Sequence, residues 1–124
     1  MSEADDYLAD LRAELAITGD EIVIRRYSGT AKPRNVSEAR VYAHVGGAAG
    51  EVTLDTALAA ARRQVVAIND PLATVGAGDV ALSALLPLSD KDQAVIDGKV
   101  YAIARPRPRL VAGVVIAVEF EAVG

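Results

Sequence analysis

The sequence predicts an α+β fold: a small antiparallel β-barrel-like domain of about five strands with an N-terminal helix, a short second helix and a long flexible loop. Three observations predict it. Apolar residues recur at helical spacing only near the start of the chain, β-branched runs of strand length fill most of the rest, and Gly, Pro, Asn or Asp clusters separate those runs. At 124 residues the chain suits one domain, 1–124, with a core of its own. Of its 64 apolar residues 40 are Ala or Val, small side chains that fit the interior of a compact barrel.

The helix is expected over residues 1–19. Ser2 followed by Asp5 resembles a capping box, acids crowd the first turn where the helix dipole favours them, and Gly19 is a natural stop. Tyr7, Leu8, Leu11 and Leu15 give it an apolar stripe that must dock on something, because a helix this short is marginal alone. After Gly19 the period becomes that of a strand, Glu21 to Tyr27, closed by Ser28-Gly29. Thr30 to Asn35 reads as an exposed basic loop. Val36 to Val45 alternates, with Ala39, Val41, Ala43 and Val45 on one face and Glu38, Arg40, Tyr42 and His44 on the other, as in a half-buried antiparallel strand.

Gly46 to Ala61 is small, Gly/Ala-rich and nearly uncharged, and predicts a long mobile loop. Arg62 to Ile68 is a third strand. Asp70 as N-cap and Pro71 at the first helical position predict a short helix over Leu72 to Val75, ended by Gly76-Ala77-Gly78. Gln93 to Ile96 and Lys99 to Arg105 flank Asp97-Gly98, a strong hairpin signal. Arg105-Pro106-Arg107-Pro108-Arg109 predicts an exposed turn or edge, since two prolines remove ladder donors. Leu110 to Ala122 is expected as the last strand.

Composition narrows the chemistry. The net charge is −4, so the chain has no excess of positive charge to hold a polyanion. It has no cysteine, hence no disulfide, thiolate zinc site or cysteine nucleophile, and its one histidine, His44, has no second His or Cys to work with. His44 therefore reads as a surface or interface residue. Gly76-Ala77-Gly78-Asp79 lacks the third glycine and the βαβ unit of a dinucleotide site, and Gly46-Gly47-Ala48-Ala49-Gly50 lacks the Lys-Ser/Thr of a phosphate cradle. Asp90-Lys91-Asp92 breaks off too soon for an EF-hand and reads as a polar turn ahead of a strand. No catalytic residue, metal ligand or cofactor is expected, and the chain reads as a non-enzyme. The acidic start and the longest apolar run, nine residues from Leu110 to Val118, predict neither a signal peptide nor a membrane span, and a soluble intracellular protein is the expectation.

Arg105, Arg107 and Arg109 alternate along an extended segment, and Arg25-Arg26 and Arg62-Arg63 add further guanidiniums. Contact with DNA phosphates, contact with a partner's carboxylates and a solvated edge all stay open for them. With one Phe and no Trp there is no stacking platform for single strands. Charge is unevenly spread, −5 over residues 1–20 and +3 over residues 21–63. Asp5, Asp6 and Asp10 on one side, and Arg25, Arg26, Arg62, Arg63, Arg105, Arg107 and Arg109 on the other, are therefore candidate contacts between subunits or with partners.

Taken in order, these features resemble a known family. A short helix precedes the strand Glu21 to Arg26. Then come the strand Glu38 to Val45, a long small-residue loop, and Arg63 to Ile68 leading into a short helix. The close is Asp92-Gln93-Ala94-Val95-Ile96-Asp97-Gly98-Lys99-Val100-Tyr101-Ala102-Ile103. Across nearly the whole chain this is similar to the small head-completion (head–tail stopper, or head-closure) proteins of tailed bacteriophages and gene transfer agents. The resemblance implies a virion protein that is monomeric when free and assembles as a ring below the portal and adaptor. There it would close the DNA-filled head, present a surface to tail proteins and touch packaged DNA only by proximity, with no membrane partner. It also implies a channel loop, here Gly46, Gly47, Gly50, Glu51, Thr53 and Asp55, whose lack of positive charge suits a steric plug better than a DNA clamp. A tail-terminator or tail-completion ring is the sister reading. A small bacterial β-domain that binds a small molecule is the competing one, and it requires a pocket near His44 and Tyr42.

Overall fold

The computed structural model describes residues 3–28, 35–46 and 62–124. Helix α1 spans Glu3–Thr18 and is followed by β1 (Asp20–Ser28), β2 (Asn35–Val45), β3 (Arg62–Ile68), a 3-10 turn (Leu82–Leu85), β4 (Gln93–Ile96), β5 (Lys99–Val111) and β6 (Val114–Val123). The six strands close into one antiparallel barrel in the order β1-β2-β3-β6-β5-β4. The α+β barrel expected from the sequence is there, with six strands in place of about five.

The alternation read from the sequence sets the barrel interior. Ile22 and Ile24 of β1, Ala39 and Ala43 of β2, Val65 and Ala67 of β3, and Val118, Phe120 and Ala122 of β6 meet inside. A second, smaller cluster lies outside the barrel, where Ala4, Leu8 and Leu15 of α1 cover Ile68, Ile116 and Ala117. Tyr7 is exposed, because one residue of helix turns it about 100° from Leu8 and off the buried stripe. The amide of Gly19 donates to Leu15 O (2.8 Å) and closes the helix where the sequence expects it to stop.

Two bulges explain how β6 serves both clusters. Register slips between Arg109↔Ala117 and Leu110↔Val115, so Ile116 is an extra residue. The slip turns Ile116 outward beside Ala117, under the helix, and restores Val115 to the interior side. A second slip between Ala104 and Arg107 leaves Arg105 at φ 51°.

Two expectations are corrected, and a third, the exposed proline-bearing edge, is located within β5. Leu72 to Val75 form a turn, not a helix: the Asp70 carboxylate accepts from Leu72 N (2.9 Å) as a cap does, but Gly76 and Gly78 follow too soon for a second turn, and the helical segment falls at Leu82–Leu85. The run Leu110 to Ala122 is two strand segments joined by a hairpin at Ala112-Gly113, both at positive φ (50° and 80°), a turn that Ala at its first position conceals. The proline segment lies inside β5, paired with β6, while β4 reaches only Lys99 to Ala102. From Ile103 to Val111 the other side of β5 is an edge with no strand partner among the described residues, which is where prolines are tolerated.

Candidate functional site

The described arginines fall into two groups. Those in the first third of the sequence are bound within the chain. Arg25 Nε donates to Glu38 Oε2 (2.8 Å), across the β1–β2 ladder in which the two residues are paired. That hydrogen bond, ahead of the burial that opposes it, raises the Arg25 pKa above its ordinary value. Arg40 Nε lies 3.1 Å from Asp79 Oδ2.

Arg26 follows Ile22 and Ile24 on the inward side of β1 and plugs an end of the barrel. Its Nε and Nη2 donate to Asp92 Oδ1 (2.7 Å) and Oδ2 (2.8 Å), a bidentate fork, and Nη2 also reaches Leu85 O (2.7 Å). Asp92 is 2% exposed, the one buried charged residue among those described, and accepts the Ser89 amide as well (2.8 Å). In sequence Asp92 reads only as part of a polar turn. The signal that finds it is parity: an arginine two residues beyond Ile24 on an inward face needs a buried acid.

The second group stands on the outer face. Arg62 is exposed at the start of β3, and Arg105, Arg107 and Arg109 are exposed along β5. Arg109 Nη2 donates to Glu119 Oε1, and Glu121 Oε2 lies 3.8 Å from Arg62 Nη1 and 3.9 Å from Arg105 Nε. Arg63 is half-buried, with Asp97 at 4.0 Å. Asp5, Asp6 and Asp10 are exposed on α1. The structure therefore separates Arg25 and Arg26, tied into the fold, from Arg62, Arg105, Arg107 and Arg109, which are presented outward. Gly46 donates its amide to Gln64 O (2.7 Å), and the other expected loop residues, Gly47, Gly50, Glu51, Thr53 and Asp55, lie outside the described residues.

A cleft of about 1040 Å³ opens between α1, the outer side of β2 and the turn after β3. Tyr42, Leu72, Val75 and Val114 line it with large exposed apolar surface, and no sequence motif pointed to it. Its floor is tied by Arg12, whose Nε and Nη2 donate to Asp70 Oδ2 (2.6 Å) and Oδ1 (2.7 Å). The Arg12 hydrogen bond, with help from the Leu72 amide, holds the Asp70 carboxyl below the usual carboxylate range. His44 is exposed on β2 and is not among the residues lining the cleft.

Among the described residues no group of three or more His, Asp or Glu is placed to hold a metal ion, and no helix is long and apolar enough to cross a membrane. Comparison of the chain with protein-family models and with curated proteins finds no match in either. What these surfaces offer is contact: an apolar cleft rimmed by internally paired charges, an outward row of guanidiniums and an acidic helix face.

Proposed function

We propose that the chain is a structural subunit of a phage-type head–tail connector. In this reading it forms a ring below the portal and adaptor, closes the DNA-filled head and presents a surface to the tail. The observation that carries the reading is the order of elements around the barrel. A helix lies on the outside, β1 and β2 follow, a long connection over residues 47–61 enters β3, and the β4–β5 hairpin turns on Asp97-Gly98. This is the order along the chain on which the resemblance to head-completion proteins rests, except that a turn and the 3-10 segment Leu82–Leu85 stand where a short helix after β3 is expected. The economy of polar groups points the same way, since Arg12, Arg25, Arg26 and Arg40 are each tied to an acid within the fold. Side chains left over for work lie on surfaces.

The test adds purified protein to DNA-filled heads that lack it and images the vertices. The expected result is a ring at the portal vertex with DNA retained in the head. Absence of association overturns the reading, and a ring found only at the end of free tails moves the protein to the sister role of tail terminator.

A binding domain for a small molecule has one observation in its favour, the cleft beside Tyr42. A ligand seated there would raise the melting temperature in proportion to the logarithm of its concentration above Kd, and Tyr42→Ala would abolish the rise.

A further inference from the structure

We infer that the cleft between α1, β2 and the turn after β3 seats an amphipathic helical segment of another protein, apolar on the face it buries and carrying a lysine or arginine beside Glu21 and Tyr42. The inference deepens the connector reading and rests on it only for where that protein stands, in a neighbouring component of the particle.

Four large apolar side chains that the fold leaves in water, Tyr42, Leu72, Val75 and Val114, converge on this one cleft, a concentration that marks a contact surface. Leu72 is 77% exposed, yet the turn that carries it is pinned at both ends. At its start Asn69 N donates to Ile116 O (2.8 Å) and Arg12 forks onto Asp70. At its close Val80 N donates to Glu38 O (2.9 Å) beside the Arg40–Asp79 pair. Apolar anchors held in place before binding cost little further ordering. Leu8 and Leu15, seven residues and about 10 Å apart, mark the α1 side, a length that admits about two turns of a partner helix.

Charge complementarity sets the sign of the occupant. Arg12, Arg40, Glu21, Asp70 and Asp79 are the charged residues that line the cleft. Arg12 is taken up by Asp70 and Arg40 by Asp79, while Glu21 has no ion-pair partner among the described residues. Glu21 lies opposite Tyr42 in the β1–β2 ladder, and both are exposed on its outer face. Side chains so opposed stand about 5 Å apart at Cβ, so carboxylate and ring together offer a cation an ion pair and a π face.

The backbone excludes an added strand, because β2 is bordered by β1 and β3, and the carbonyls of Val115 and Ile116 already accept from Asn69 (2.9 and 2.8 Å). A small molecule fits less well. The cleft, about 1040 Å³, exceeds the roughly 300–1,000 Å³ of such sites, and its internal ion pairs leave few convergent polar groups to orient one. A helix needs only side-chain anchors at successive turns.

The test titrates the full chain, followed by amide NMR shifts at physiological salt, with two stapled synthetic helices that share a leucine face, one bearing lysines and the other glutamates. The lysine helix should bind and shift Tyr42, Leu72 and Val75, and the glutamate helix should bind more weakly. Leu72→Ser/Val75→Ser, with folding checked by circular dichroism, should weaken the lysine helix at least about tenfold. Glu21→Lys should weaken it by up to about fivefold and favour the glutamate helix, whereas Asp6→Lys, the same charge change on an exposed residue that does not line the cleft, should leave the preference unchanged. A lysine helix that leaves the cleft amides unmoved at millimolar concentration overturns the inference. So does a glutamate helix that binds as tightly, or unchanged affinity in Leu72→Ser/Val75→Ser. Hexylammonium binding as tightly as the peptide gives the cleft to a small ligand, and wild-type sedimentation showing a dimer that Leu72→Ser/Val75→Ser abolishes gives it to a second copy; either overturns the inference. The two readings fail separately. A ring at the portal vertex with no helix bound in the cleft sinks this inference alone, whereas a helix bound in the cleft of a protein that never associates with heads or tails sinks the connector reading alone.

Discussion

Arg26 and Asp92 lie 66 residues apart in sequence and meet as a fork at the end of the barrel. Removing the acid leaves the guanidinium with the carbonyls of Leu85 and Pro87 (2.7 and 3.2 Å) in place of a carboxylate. Breaking one side of a buried pair costs about 3–5 kcal/mol, and because a third of the Arg26 side chain still meets water, Asp92→Ala should fall near the lower end, about 3 kcal/mol, in urea denaturation. Replacing Arg26 and Asp92 together by leucines should cost less than Asp92→Ala alone. Asp70 gives the molecule an acid limb. Its carboxyl is held below the usual range in the folded state, so the stabilisation it brings is complete above its unfolded pKa of about 3.9 and is lost as pH falls through the depressed folded value. Asp70→Asn should flatten that part of the acid unfolding curve and leave the neutral plateau without slope. The partner of Arg26 was hidden because pairing across 66 residues has no local signature. Its inward position was legible from alternation with Ile22 and Ile24.

At the scale of elements, periodicity carried most of the fold. Strands β2 and β3 and the hairpin at Asp97-Gly98 stand where alternation and turn chemistry place them. The turn at Ala112-Gly113 was not legible, because an alanine at φ 50° breaks the local preference that makes such turns recognisable. The same misfit makes a prediction. Ala112 is exposed and strained, so Ala112→Asn should raise stability by about 0.5–1 kcal/mol, measured as a shift in the urea midpoint with unchanged slope. The missing helix at Leu72 to Val75 follows from competition: the Asp70 side chain caps Leu72 but is also drawn into the Arg12 pair, and Gly76 and Gly78, four and six residues beyond Leu72, favour a turn.

For the whole molecule, closure rests on the shortest strand. β4 has four residues, joins β1 through three paired positions and β5 through four; β2 and β3 also share only three, but β3 is held on its other side by seven pairs with β6. Opening should begin at that seam. Amides of Ala94 and Val95 should exchange with solvent before those at the centres of β3 and β6, as followed by native-state hydrogen exchange. Arginine function is the part least legible before the fold was seen. Alternation shows which guanidiniums share a face, but only the closed barrel shows which of them already have a carboxylate at hand.

The proline-bearing border of β5 has a further consequence. A bare strand edge invites another chain to add itself by main-chain pairing, and repeated addition makes fibrils. Pro106 and Pro108 withdraw two donors from that border, and the bulge at Arg105 bends it. Copies brought close together would then be able to touch through side chains without zipping into a continuous and irreversible sheet.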